Sequence, residues 1–413
     1  MRCKGKREVG KGKREEERGM IAAKNAKVDW KTVKLGEVVN VNVDTYSLTE
    51  NWSIINYLDT GSVTENHIEL IQQLEAGVDK IPSRARRKAY PNNILYSTVR
   101  PNQHHYAILK NVPDNFLVST GFAVLDVIET KANPRFVYYF LSQDSVTDHL
   151  QVVAEQSVST YPSLNSTDIT SLSIPLPPLP TQRKIAAVLG ALDDKIENNR
   201  KICANLEAQA QALFKSWFVD FEPFGGKMPK DWKMGKLGDV FLFKRGSSIS
   251  KRDVVLKRDS ENRFVVYGAG REVFGFLKHA DINEPTVLIT AIGAGAGDVT
   301  RSYERQYSVT SNAFYVSTKD GYHFPYAYYK LLNVDFHLFC TGSAQPMLAY
   351  NSFANEDVVV PCNKTIDSFC KYCWPLIKKI DSLKSLYYSL SDLRDTLLPK
   401  LMSGELDVDD VEV

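Results

Sequence analysis

The chain has 413 residues, 43% hydrophobic and 24% charged, with a formal net charge of +2; the length predicts about two or three domains, and the apolar share excludes disorder of the chain as a whole. Its longest apolar runs, such as IAAVLGAL at 185–192, fall far short of the ~18 to 20 residues that span a bilayer, and no signal-peptide-like stretch follows the basic N-terminus. The expectation is a cytoplasmic protein with no membrane association.

Residues 1–19 hold eight Lys/Arg and four Glu without apolar periodicity, so 1–28 reads as a basic low-complexity extension, either a disordered arm or a product of start-site choice. At 29–39 the segment DWKTVKLGEVV begins a first module, and DWKMGKLGDVF at 231–241 repeats it. The repeat continues more loosely: ILYSTVRP (94–101) parallels VLITAIGA (287–294), LVSTGFAVL (117–125) parallels SVTSNAFYV (308–316), and SVSTYPSL (157–164) parallels GSAQPMLA (342–349). Each of these runs is predicted to be a buried strand. The repeat offset shrinks toward the closing prolines, so the second module has lost material.

SLSIPLPPLP (171–180) is predicted to be a proline-stiffened linker, and Thr181 can cap a helix over about 181–219. Leu189, Leu192, Ile196, Asn199, Leu206 and Leu213 mark its heptad seam. After VVVP (358–361) a second helical pattern carries Ile380, Leu383, Tyr387 and Leu390, with Pro375 as a start or kink and Pro399 with Gly404 at its end. Asn199 is either a register-setting polar residue or a position past which the seam rotates. Five acidic residues at 405–413 form a tail. The expected domains are 29–178, a central helical spacer 179–222, a second module 229–361 and a C-terminal helical region 362–404.

The paired DWK-x-x-KLG motifs, PLPPLPTQRKIAAVLGALDDKIENN (175–199) and SLSDLRDTLLPKLMSGELDV (389–408) resemble the specificity subunit of type I restriction-modification systems. The resemblance covers 29–408. It implies an α+β chain with two repeated α/β target recognition domains, separated by two long antiparallel coiled-coil-like helices with a pseudo-two-fold. It further implies double-stranded DNA as ligand, each domain reading half of a bipartite site. The helices would set the spacer and dock methyltransferase subunits, alongside restriction/translocase subunits. The chain itself would be no enzyme, with no catalytic residue, metal or cofactor of its own; S-adenosylmethionine, ATP and Mg would serve the partners. Two other readings compete: a stand-alone DNA nuclease or methyltransferase, and a non-enzymatic DNA-binding scaffold.

Phosphate binding needs clustered cations, and base reading needs Arg, Lys, Asn or Gln on elements that reach a groove. SRARRKAY (83–90) concentrates Arg84, Arg86, Arg87 and Lys88 just before a predicted strand, and RPNQHHY after it offers Arg100, Asn102, Gln103, His104 and His105. The alternative for each is a solvated loop face. In the second module Arg271, Arg301 and Arg305 stand beside glycine-rich loops.

Three motifs mimic other chemistry. GAGAG (293–297), with Asp320 further on, follows an apolar run, but the next segment has no apolar helical face, which a dinucleotide fingerprint requires. Pro113-Asp114 with Glu129 and Lys131 matches a loose nuclease pattern that the second module lacks. Cys370 and Cys373 fall on the apolar side of a predicted helix, so buried thiols are expected there; six cysteines in all fit a reducing compartment.

Overall fold

The structure is a computed structural model that describes residues 30–157, 161–256, 258–270, 273–318 and 323–411. The N-terminal extension, Asp29, Arg271 and Asp320 lie outside the described residues. The chain forms two compact units. The first joins the residues up to Lys195 to those from Leu390 onward, and the second comprises Ile196–Ser389.

The first unit holds two four-stranded sheets. One runs in the order Gln72–Glu75, Ile54–Leu58, Phe116–Ser119, Ala85–Lys88, with the middle two strands parallel. The other runs Val39–Val41, Phe122–Val127, Ile94–Ser97, Tyr106–Ile108 and is antiparallel throughout. The second unit repeats both: Val273–Leu277, Phe264–Tyr267, Tyr307–Val309 with one parallel pair, and Leu242–Arg245, Ala313–Ser317, Val287–Thr290, Val299–Arg301. Among the described residues, one strand of these sheets has no counterpart. Residues 76–93, which contain Ala85–Lys88, are answered by the shorter stretch 278–286, so part of the material lost from the second module is the strand that carries the basic cluster.

The repeated KLG motif has a geometric cause. Strand Lys31–Lys34 pairs with Ser173–Leu176, and Lys233–Lys236 pairs with Asp357–Val360. The chain then turns so that Gly36 and Gly238 lie against the segment preceding the partner strand. A Cβ on Gly36 would sit 3.1 Å from the Thr170 Cβ, and one on Gly238 would sit 2.6 Å from the Tyr350 hydroxyl. Adjacent backbone bonds, Leu35 N to Leu172 O and Leu237 N to Glu356 O, hold each turn. Any side chain there would have to push its neighbour aside, so glycine favours the close approach.

Four expectations are corrected. LVSTGFAVL and SVTSNAFYV each contain two strands in different sheets rather than one. SLSIPLPPLP is not only a linker, because Ser173–Leu176 is a strand and the central helix already begins at Leu179, running to Phe218. SVSTYPSL is no strand in its described part: Ser163 makes only an isolated bridge to Val99, and 158–160 lie outside the described residues. The C-terminal helix runs Asn363–Ser403 straight through Pro375, which neither starts nor ends it. Pro375 is exposed, while Phe369, Cys373 and Ile377 around it are fully buried, so core packing offsets the missing N–H.

Within the second unit the helices run antiparallel, since Arg200 meets Tyr387 and Cys203 meets the Ile380 carbonyl. Leu189, Ile196, Asn199, Ile380 and Leu383 are buried; Leu192, Leu206, Leu213, Tyr387 and Leu390 are half-buried. Past Asn199 the fully buried face moves to Ala210 and Phe214, one turn apart, which pack with Tyr326, Tyr329 and Phe369. The helix there follows its module's core rather than a strict seam.

Candidate nucleic-acid interface

Each module docks on the long helices through a short helix whose sequence repeats, Pro134–Leu141 (PRFVYYFL) and Phe324–Leu332 (FPYAYYKLL). The Tyr-Tyr pairs, Tyr138-Tyr139 and Tyr328-Tyr329, are buried in both, and the sequence reading passed over them. In the first unit the Tyr139 hydroxyl donates to Asp193 Oδ2 at 2.7 Å, and Arg394 Nη1 lies 3.2 Å from Asp193 Oδ1. Burial works against the charge of Arg394, but Asp193 and Asp395 outweigh it and hold the guanidinium firmly protonated.

The second unit uses different chemistry at the corresponding seam. Arg301 is 1% exposed, its Nη1 2.7 Å from Asp381 Oδ1 on the C-terminal helix, and its guanidinium carbon lies 4.6 Å from the Tyr303 ring centre and 5.7 Å from that of Tyr328. Burial pushes the Asp381 carboxyl up, and Arg301 pulls it part of the way back. Arg301 is thus a buried anchor, which corrects its reading as a loop residue facing DNA.

The first-module cluster is also placed differently from expectation. Arg86, Arg87 and Lys88 lie on a sheet-edge strand, not in a loop, because Ala85 and Ala89 turn inward. The segment 44–46 covers part of that edge, with Tyr46 N bonded to Arg86 O and Lys88 N to Asp44 O. Lys88 is committed internally: its ammonium is 2.8 Å from Glu50 and 3.6 Å from Asp44, and the hydrogen bond to Glu50 raises its affinity for the proton. Arg87 is half-buried with Nη1 unpartnered, and burial lowers its pKa. Arg84 is exposed, and Arg86 half-exposed.

Arg100 and His104, both in left-handed backbone conformation, flank a 3₁₀ turn at Pro101–Gln103. Arg100, Asn102 and Gln103 are exposed, and the Arg100 guanidinium stacks at 4.8 Å on Tyr161. His104 is half-buried, 4.0 Å from Glu65, and His105 faces the Val63 carbonyl. In the second unit Arg305 is exposed. Four exposed cations there escaped the sequence reading: Lys244 and Arg245 on an edge strand, and Lys251 and Arg252 beyond it. Arg245 stacks at 4.7 Å on Phe314. The run KRGSSISKR was the available signal, hidden because its charges are spread over nine residues. If Arg84 or Arg252 meets a phosphate, its Ala variant should make the slope of log affinity against log salt shallower by about 0.9, measured by fluorescence anisotropy. An unchanged slope for both would remove them from the interface.

The decoys resolve structurally. GAGAG is a turn that leads into strand Val299–Arg301 rather than a helix. Lys131 Nζ donates to the Glu37 carbonyl, and Asn92 Nδ2 donates to Glu129. Cys370 and Cys373 are fully buried in the second core. Among the described residues no helix is long and apolar enough to cross a membrane.

The two units share one scaffold, and each bears its own exposed cations. The sequence profile described as "Type I restriction modification DNA specificity domain" matches residues 27–208 and 229–367, and the chain belongs to that family. It is 35% identical over 202 residues to the type I restriction enzyme HindI specificity subunit of Haemophilus influenzae, a match spanning 48% of this chain and 43% of that protein. It is 23% identical to the type I restriction enzyme MjaIX specificity subunit of Methanocaldococcus jannaschii over 93% of this chain and 95% of that one. In fold it is similar to the crystal structure of a type I restriction-modification S subunit from M. genitalium, with a TM-score of 0.57 at 17% identity, covering 91% of this chain and 97% of that one.

Proposed function

We propose that this chain is the sequence-reading subunit of a type I restriction-modification assembly, each module binding one half of a bipartite double-stranded DNA site. The observation that carries the reading is the pairing of a common scaffold with unlike surfaces. Sheets, glycine turn and Tyr-Tyr helix repeat, whereas among the described residues the basic edge strand Ala85–Lys88 occurs only in the first unit and the Lys244–Arg252 cations only in the second. Such a pair suits two unrelated half-sites, because base contacts specify sequence while the scaffold only positions them.

On this reading the chain has no catalytic role. Methyl transfer with S-adenosylmethionine, and ATP- and Mg-dependent translocation, belong to partner methyltransferase and restriction subunits in the cytoplasm. Methylome sequencing of the host with and without this gene tests the proposal: one bipartite methylated motif should vanish with the gene. An unchanged methylome would overturn it.

The long helices each pass from one unit into the other, with boundaries at Lys195/Ile196 and Ser389/Leu390. Inserting four helical residues at both boundaries adds ~6 Å, against a rise of ~3.4 Å per base pair. The unread spacer in the methylated motif should lengthen by about one or two base pairs. The boundary is the better insertion point than residues 204–212, where Ala210 is buried in the second core.

A further inference from the structure

Inside the second unit the two long helices leave a groove of about 300 Å³, lined by Asn199, Arg200, Cys203, Leu383, Lys384 and the tyrosines at 387 and 388. Asn199 is 2% exposed, and its Nδ2 has no hydrogen-bond partner. A donor left unpaired in an apolar seam is costly unless something else satisfies it. Two cations flank it. Arg200 is half-buried, donates one N–H to the Tyr387 hydroxyl and stacks at 4.7 Å on that ring. Lys384 is half-buried, its ammonium 3.4 Å from the Tyr303 ring centre.

Neither cation has a carboxylate within 4 Å among the described residues. Asp381, one turn from Lys384, is engaged by Arg301. The groove therefore holds two cations that make no direct ion pair, Lys384 reaching Asp381 only at longer range, and an unpaired amide donor, contributed by both helices, with buried Leu383 in its lining.

We propose that this groove is a binding site for a phosphate-class oxyanion. Two cations free of direct ion pairs suit a multiply charged anion. Three separate donor side chains, an ammonium, a guanidinium and an amide, suit an acceptor with several oxygens better than a carboxylate, which a single Arg fork satisfies. The low local dielectric strengthens each bond once water is displaced. The ion is either free phosphate or a phosphate of a nucleic-acid backbone, and both present the same chemistry.

Isothermal titration of the full chain with inorganic phosphate at constant ionic strength, with acetate for comparison, tests this. Saturable one-to-one binding is expected, weakened at least tenfold in Asn199→Leu and in the double variant Arg200→Gln/Lys384→Gln, with acetate binding more weakly than phosphate. Asn199→Leu should unfold at a higher temperature than the parent in phosphate-free buffer, so its loss of binding cannot reflect misfolding. A second arm separates the sources. A backbone phosphate makes the salt slope of DNA binding shallower by about one in the double variant, whereas lost phosphate binding with an unchanged slope assigns the site to free phosphate. Variants that match the parent in both phosphate affinity and salt slope overturn the proposal, as does equal affinity for acetate.

Discussion

Replacing Arg301 with Met should lower the stability of the second unit by about 2–3 kcal/mol at neutral pH, below the ~3–5 kcal/mol for breaking a fully buried ion pair because Asp381 is 32% exposed. Arg301 is 1% exposed and Asp381 answers it at 2.7 Å, so the substitution leaves a half-buried carboxylate without its main counter-charge. The deficit should depend on pH with a definite sign. Burial already holds the folded-state pKa of Asp381 above the ordinary 3.8, and without Arg301 only the weaker pull of Lys384 opposes it. A carboxyl whose folded pKa is raised binds more protons folded than unfolded, so stability falls as pH rises from the unfolded value through the folded one. Urea unfolding should therefore show a smaller penalty at pH 5.5 than at pH 7.5. Arg301→Met/Asp381→Leu should recover most of the loss. A deficit below about 1 kcal/mol, or one that ignores pH, would contradict the buried-pair account.

Phe214→Ala should cost about 3–5 kcal/mol by removing a large ring from a closed core. The ring is 1% exposed and lies 5.8 Å from Phe369, 6.3 Å from Tyr326 and 6.4 Å from Tyr329, centre to centre. It thereby ties the central helix to both the C-terminal helix and the short Tyr-Tyr helix. Loss of near-ultraviolet circular dichroism and an earlier denaturant midpoint are the expected readouts. A midpoint equal to the parent's would mean that the neighbouring rings close the cavity. Phe214→Leu, which keeps much of the volume, should cost less than half as much.

The architecture was legible where local pattern and repetition coincide. DWK-x-x-KLG occurs twice because each turn approaches its neighbour closely, and the two long helices show heptad spacing because apolar positions pack along them over many turns even though the fully buried face shifts past Asn199. The Tyr-Tyr helices were equally available, since FVYYFL and YAYYKLL share a register, but aromatic pairs in an apolar run look like ordinary core. Individual cations were not legible. Arg301 and Arg305 stand four residues apart beside the same glycines, yet one is buried and the other exposed. The difference lies in Asp381, 80 positions further along on a helix. Similarly, Lys88 is neutralised by Glu50 and Asp44 from a separate segment. Whether a charge faces solvent depends on such distant partners, which spacing along the chain does not encode.

The discontinuity of the first unit bears on how the protein is made. Its core includes Leu398, Leu401 and Met402, which pack with Ile185, Val188 and Leu189, whereas the second unit is one continuous stretch. During translation the residues of the second unit have all been synthesised before Leu390 is added, so the unit that begins first is completed last. Until then the apolar face around Leu189 waits uncovered on the nascent chain, open to chaperones or to premature association. A nonsense mutation just after Ser389 would spare every residue of the second unit and remove the closing wall of the first.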